Sequence, residues 1–74
     1  MYRRIMPYNE EIMEADRKFQ QEETVQNELV LERLKLKFFE DQLRQTPDDK
    51  ELKHHVEYHR SEVARLEGMV KLAR

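Results

Sequence analysis

The chain contains no cysteine and no tryptophan, a single glycine (Gly68) and only two prolines (Pro7 and Pro47). Without cysteine there can be no disulfide, no thiol catalysis and no thiolate metal site. The scarcity of glycine and proline leaves few points at which a helix would be interrupted. No segment alternates apolar and polar residues as a half-buried strand does. With 74 residues for one small domain, the sequence predicts an all-α fold.

Neither sign of charge dominates, and no long apolar run is present. The 14 basic and 16 acidic residues are interspersed and give a net charge of −2. A nucleic-acid-binding domain usually carries a one-sided basic patch, so we do not expect a nucleic-acid partner. The missing apolar run excludes a membrane span and a signal peptide, so we expect a cytoplasmic protein with no membrane partner.

Charged residues make up 41% of the chain, and Glu, Lys, Arg, Leu and Gln, which favour helices, are abundant. Residues 1–8 are predicted to be a flexible leader, because Pro7 ends any structure before it. Asn9 suits the N-cap of a first helix, predicted over residues 9–45. The segment Thr46-Pro47-Asp48-Asp49 predicts a turn at 46–49 and a second helix over 47–74, with Thr46 as its cap and Pro47 in its first turn.

Both predicted helices carry a heptad pattern. In the second helix, alternating steps of four and three residues connect Leu52, Val56, His59, Val63, Leu66, Val70 and Ala73. In the first helix the same spacing connects Val25, Leu29, Glu32, Leu36, Phe39 and Leu43. Folding the chain at Pro47 places Leu29 opposite Leu66 and Val25 opposite Val70. Because two independent patterns agree on one register, we predict an antiparallel two-helix coiled-coil hairpin.

Two polar residues fall within this heptad pattern. Glu32 and His59 occupy neighbouring layers on opposite helices, so we predict that they form a polar core pair. Such pairs specify the register of a coiled coil at some cost in stability. The alternative is that both side chains are solvent-exposed and unpaired.

The first helix also has apolar residues that the hairpin does not use. Residues 9–20 extend beyond the second helix as an overhang, and Leu31, Leu34 and Phe38 lie on the face of the helix opposite the heptad pattern. A helix that is apolar on two faces is usually buried on both. We therefore predict a protein interface formed by Ile12, Phe19, Leu31, Leu34 and Phe38.

Three kinds of burial could cover these residues. Self-association into a homodimeric helical bundle is the preferred one, and burial against a different, larger protein is the second. In the third, residues 10–20 turn back and form a three-helix fold. That fold requires a break near residues 20–24, where the sequence has neither glycine nor proline.

No residue pattern points to catalysis, a cofactor or a metal. His55 and His59 are one helical turn apart, but a metal site needs a third ligand, and the HExxH pattern is absent. Ser61 is the only serine, and there is no glycine-rich loop. We expect a non-enzymatic protein-interaction module, self-associating and acting as a structural or adaptor protein. The alternative hypothesis is a small helical inhibitor or regulator that masks a larger enzyme or transcription factor.

Overall fold

The computed structural model describes residues 9–72, which form three helices: α1 (Glu10–Gln21), α2 (Val25–Gln45) and α3 (Lys50–Leu72). The predicted leader at residues 1–8 and the end of the predicted second helix at residues 73–74 lie outside this described range. The all-α prediction is confirmed. The two-helix prediction is wrong, because residues 9–45 form two helices instead of one. Within residues 9–72, no helix is both long enough and apolar enough to cross a bilayer.

Helices α2 and α3 pack against each other in antiparallel directions. Leu29, Val63 and Leu66 are buried together, and Val25 and Val70 pack against them. Two of these pairs, Leu29 with Leu66 and Val25 with Val70, are residues that the heptad register placed opposite one another. At the edge of the contact, Arg33 donates a hydrogen bond to Glu67 at 2.7 Å, and Arg60 donates one to Glu40 at 3.3 Å. Both pairs are exposed, so they contribute little to stability beyond helping to fix the register.

Helix α3 is capped by Asp49, and not by Thr46 as predicted. The Asp49 backbone N–H donates to the Thr46 carbonyl at 3.1 Å, which closes a tight turn around Pro47. The Asp49 carboxylate then accepts from the Leu52 N–H at 3.1 Å and caps α3. Thr46 instead ends α2, with its N–H and hydroxyl both donating to the Gln42 carbonyl. Helix α3 therefore begins at Lys50 and not at Pro47.

The break between α1 and α2 falls at residues 22–24, where two caps meet. Glu22 ends α1 in an extended conformation, and its N–H still donates to the Lys18 carbonyl. Thr24 begins α2, and its hydroxyl accepts from the Asn27 N–H at 3.1 Å. The Asn27 side chain reaches back and donates to the Glu22 carbonyl at 2.9 Å. Capping by Thr24 and Asn27 thus satisfies backbone groups that the interrupted helix leaves unpaired.

Helix α1 folds back onto the face of α2 that points away from α3. Its buried residues Ile12 and Ala15 form one cluster with Leu31 of α2, while Phe19, Leu34 and Phe38 pack against that cluster and remain half-buried. Helices α1 and α3 have no close contact with each other. Helix α2 is therefore the central helix, and its two apolar faces belong to two separate clusters.

The role of this second cluster can be tested by comparing Ile12→Ala with Met13→Ala. Ile12 is 1% exposed, whereas its neighbour Met13 is 47% exposed. We expect Ile12→Ala to cost about 2–5 kcal/mol through the cavity it leaves, and Met13→Ala to cost much less. Because α1 contacts only α2, the loss of stability in Ile12→Ala should accelerate backbone hydrogen exchange more in α1 than in α3, relative to the wild type. Equal acceleration in both helices would show that α1 does not open on its own.

Candidate protein-interaction site

The predicted polar pair lies in the contact between α2 and α3. His59 Nδ1 is 2.6 Å from Glu32 Oε1, and both side chains are about nine-tenths buried. Lys35 Nζ is 3.8 Å from the other carboxylate oxygen of Glu32. Among the described residues, no buried side-chain nitrogen or oxygen lacks a hydrogen-bond partner. The structure therefore brings Glu32 and His59 together in a satisfied polar layer.

Phe39 packs against the histidines of α3 and shields this layer. Its ring stacks on His59, with centroids 5.3 Å apart, and on His55, with centroids 4.6 Å apart. Tyr58 meets the His59 ring edge to face at 5.0 Å. The rings of Phe39 and Tyr58 hold the His59 imidazole in an orientation that points Nδ1 at Glu32. The pair is therefore a feature of packing, built between two helices.

The histidines do not assemble into a metal centre within the described residues. No group of three or more His, Asp or Glu side chains between residues 9 and 72 is placed to hold a metal ion. His59 is occupied by Glu32, and His55 stacks on Phe39 at the surface. Ser61 is exposed on α3.

The five residues predicted as a protein interface are collected in the contact between α1 and α2. Ile12 and Leu31 are buried within the chain, so they are not available to a partner in this conformation. Phe19, Leu34 and Phe38 remain half-buried. The fold-back of α1 supplies much of the cover that the prediction assigned to another molecule.

A different apolar surface is exposed on α3, and the sequence analysis did not identify it. Tyr58, Met69 and Leu72 are 58%, 42% and 87% exposed. At ~100° per residue they lie within about 60° of one another, on the side of α3 turned away from its buried residues. We call this surface, together with Arg65, the outer face of α3. Its signal in the sequence is weak, because its three apolar residues are widely spaced and interrupted by charges.

Arg65, the charged residue of this face, is paired with acidic side chains of both α3 and α2. Arg65 donates to Glu62 at 2.7 Å and lies 3.9 Å from Glu28 of α2. The hydrogen bond from Arg65 lowers the pKa of Glu62, and the same bond raises the pKa of Arg65. The stabilising effect of this bond is present above the unfolded pKa of a glutamate and is lost as the pH falls through the lowered folded value. Because both groups are exposed to solvent, we expect the effect to be small.

A second surface feature is an open groove between α1 and α2. Its floor is apolar, with Ala15, Val30 and Leu34. Its rim on the α1 side carries Glu11 and Glu14, followed by Lys18 further along the helix. Val30 is 51% exposed, which is unusual for an apolar residue beside a helix contact.

Comparisons of the chain with protein-family models, with curated proteins and with solved structures found no match.

A double-mutant cycle tests the polar pair. Replacing either Glu32 or His59 with Leu removes one partner and leaves the other buried without its hydrogen bond, so each single change should destabilise the fold. The double substitution replaces both by apolar groups and should cost less than the sum of the two single changes. We expect a departure from additivity of about 0.5–3 kcal/mol in chemical denaturation. Additive costs would indicate that the 2.6 Å contact contributes no coupling.

Proposed function

We propose that this chain is a non-enzymatic protein-interaction module that self-associates and acts as a structural or adaptor protein. The observation that supports the proposal is the outer face of α3, along which Tyr58, Met69 and Leu72 are each exposed. Isolated apolar residues are common on protein surfaces. Large apolar side chains that share one face of a helix are typical of a surface that another helix covers.

The size of the core supports the same proposal. Ile12, Ala15 and Leu31 form one buried cluster, and Leu29, Val63 and Leu66 form another. Small domains normally enclose one continuous core, and at this length even that gives modest stability. A chain whose apolar burial is divided between two sides of α2 gains more than most from additional burial against a partner.

The expected strength of self-association follows from the same surface. Two copies meeting through α3 would cover three large apolar side chains from each, worth at most ~1.5–3 kcal/mol apiece. This gives an upper limit of roughly 9–18 kcal/mol, since Tyr58 and Met69 are already about half covered, against the ~4–15 kcal/mol that association costs in lost freedom of motion. We therefore expect a reversible, concentration-dependent dimer, and propose a helical bundle in which the α3 helices of two copies pack together.

The matched pair Met69→Glu and Met13→Glu tests this interface. The two methionines have similar exposure, 42% and 47%, but only Met69 lies on the outer face of α3. We expect the wild type and Met13→Glu to increase in mass with concentration, and Met69→Glu to remain monomeric because its carboxylate would be buried in the interface. Light scattering over about a hundredfold range of concentration measures this, and the melting temperature should depend on concentration only in the associating proteins.

Two outcomes would contradict this interface. If Met13→Glu and Met69→Glu weaken association equally, the outer face of α3 is not the contact. If the wild type is monomeric throughout, self-association is wrong. The outer face of α3 would then be left for a different protein, as in the alternative hypothesis of a small helical regulator.

A further inference from the structure

The groove between α1 and α2 is open to solvent although its floor is apolar. Val30 and Leu34 lie at its base, and Val30 is half exposed. Glu11 and Glu14 form an acidic rim along one side, with Lys18 further along it, and neither carboxylate forms an ion pair with another of the described residues. An apolar floor beside an acidic rim matches a segment that carries both apolar and basic side chains.

The chain itself contains such a segment at its N-terminal side. Residues 1–8, Met-Tyr-Arg-Arg-Ile-Met-Pro-Tyr, combine two arginines with Ile5 and other apolar residues. Arg3 and Arg4 are consecutive, and in this part of the sequence no acidic residue occurs before Glu10. The segment therefore has positive charge to complement the acidic side of the groove and apolar side chains to cover its apolar floor.

The point of attachment favours this segment over any other occupant. Residue 8 connects directly to Asn9, which both caps α1 and lines the groove. At ~1.5 Å per helical residue, Glu14 lies roughly 8 Å along α1 from Asn9. Five extended residues, the separation of Arg4 from Asn9, span up to about 17 Å. Both arginines can therefore reach the acidic rim, and the short connection gives the segment a high effective concentration at the groove.

We infer that the groove between α1 and α2 binds residues 1–8 of the same chain, with Arg3 and Arg4 against Glu11 and Glu14 and with Ile5 against Val30. Docked in this way, the segment covers the exposed part of the α1–α2 cluster and holds α1 against α2. This inference is independent of self-association, since it concerns a different surface from the outer face of α3.

Disulfide trapping tests the inference without interference, because the chain has no cysteine of its own. One variant combines Ile5→Cys with Val30→Cys, and its matched control combines Ile5→Cys with Met13→Cys. Val30 and Met13 have similar exposure, but Met13 lies on the flank of α1 away from the groove. Met13 and Val30 both lie in helices that follow Asn9, so the connection from Ile5 to Asn9 is the same for both and gives neither position an advantage in tether length.

We expect the Val30 bridge to form at least about tenfold faster than the Met13 bridge, because docking raises the local concentration of the thiol introduced by Ile5→Cys only at the groove. Glu11→Lys/Glu14→Lys should remove this advantage, and adding Arg3→Glu/Arg4→Glu should restore it. Arg3→Glu/Arg4→Glu alone should also remove the advantage of the Val30 bridge. This variant changes no residue of the three helices, so the slower bridging could not be attributed to a substitution within α1. Circular dichroism of each reduced variant confirms that the helices are intact.

Three results would overturn the inference. The first is a Met13 bridge that forms as fast as the Val30 bridge or faster. The second is a fast Val30 bridge that joins two chains instead of one, seen as a doubled mass under non-reducing conditions. The third is a fast intramolecular Val30 bridge that is unaffected by either charge reversal, which would exclude recognition by Glu11 and Glu14.

Discussion

Helix α2 has apolar side chains on two opposite faces, and this arrangement constrains the whole chain. Leu29 and its neighbours face α3, whereas Leu31 faces α1. Neither face can remain in water without loss of several kcal/mol, since each fully buried large apolar side chain contributes ~1.5–3 kcal/mol. The chain covers one face with the helix that follows α2 and the other with the helix that precedes it. Two separate clusters result, and the modest burial in each underlies the proposed need for further contacts.

The polar layer has a different role from the apolar clusters. Glu32 and His59 are buried at 2.6 Å from each other, with Phe39 stacked on the imidazole. A buried pair of this kind adds little net stability compared with apolar residues of the same size. It does penalise any register in which one partner lacks the other, because the unpaired group would remain buried without a hydrogen bond. We therefore expect the pair to make the alignment of α2 with α3 specific, while Leu29, Val63 and Leu66 provide the burial.

The two proposed contacts use surfaces that this packing leaves open. The apolar residues of the outer face of α3 are exposed, and the groove lies between α1 and α2. The outer face of α3 has exposed apolar residues, its Arg65 is paired with acidic residues of the same chain, and it suits a second copy of the helix. The groove has an acidic rim and suits the basic residues that precede α1. The different chemistry of these surfaces allows each proposal to be tested without disturbing the other.

The sequence by itself determined the helical class, the cap at Asn9, the turn near Pro47 and the pairing of Glu32 with His59. These features depend on local capping chemistry and on heptad patterns that extend over many residues in both helices, so they are strongly specified. The tertiary structure decided the break at residues 22–24 and the direction of α1. Glu22, Glu23 and Thr24 are compatible with a continuous helix. Thr24 and Asn27 provide capping hydrogen bonds at the break, but residues of these types do not by themselves require a helix to end. Burial of Ile12 and Ala15 against Leu31 offsets the interrupted helix, and that gain exists only when residues distant in sequence meet.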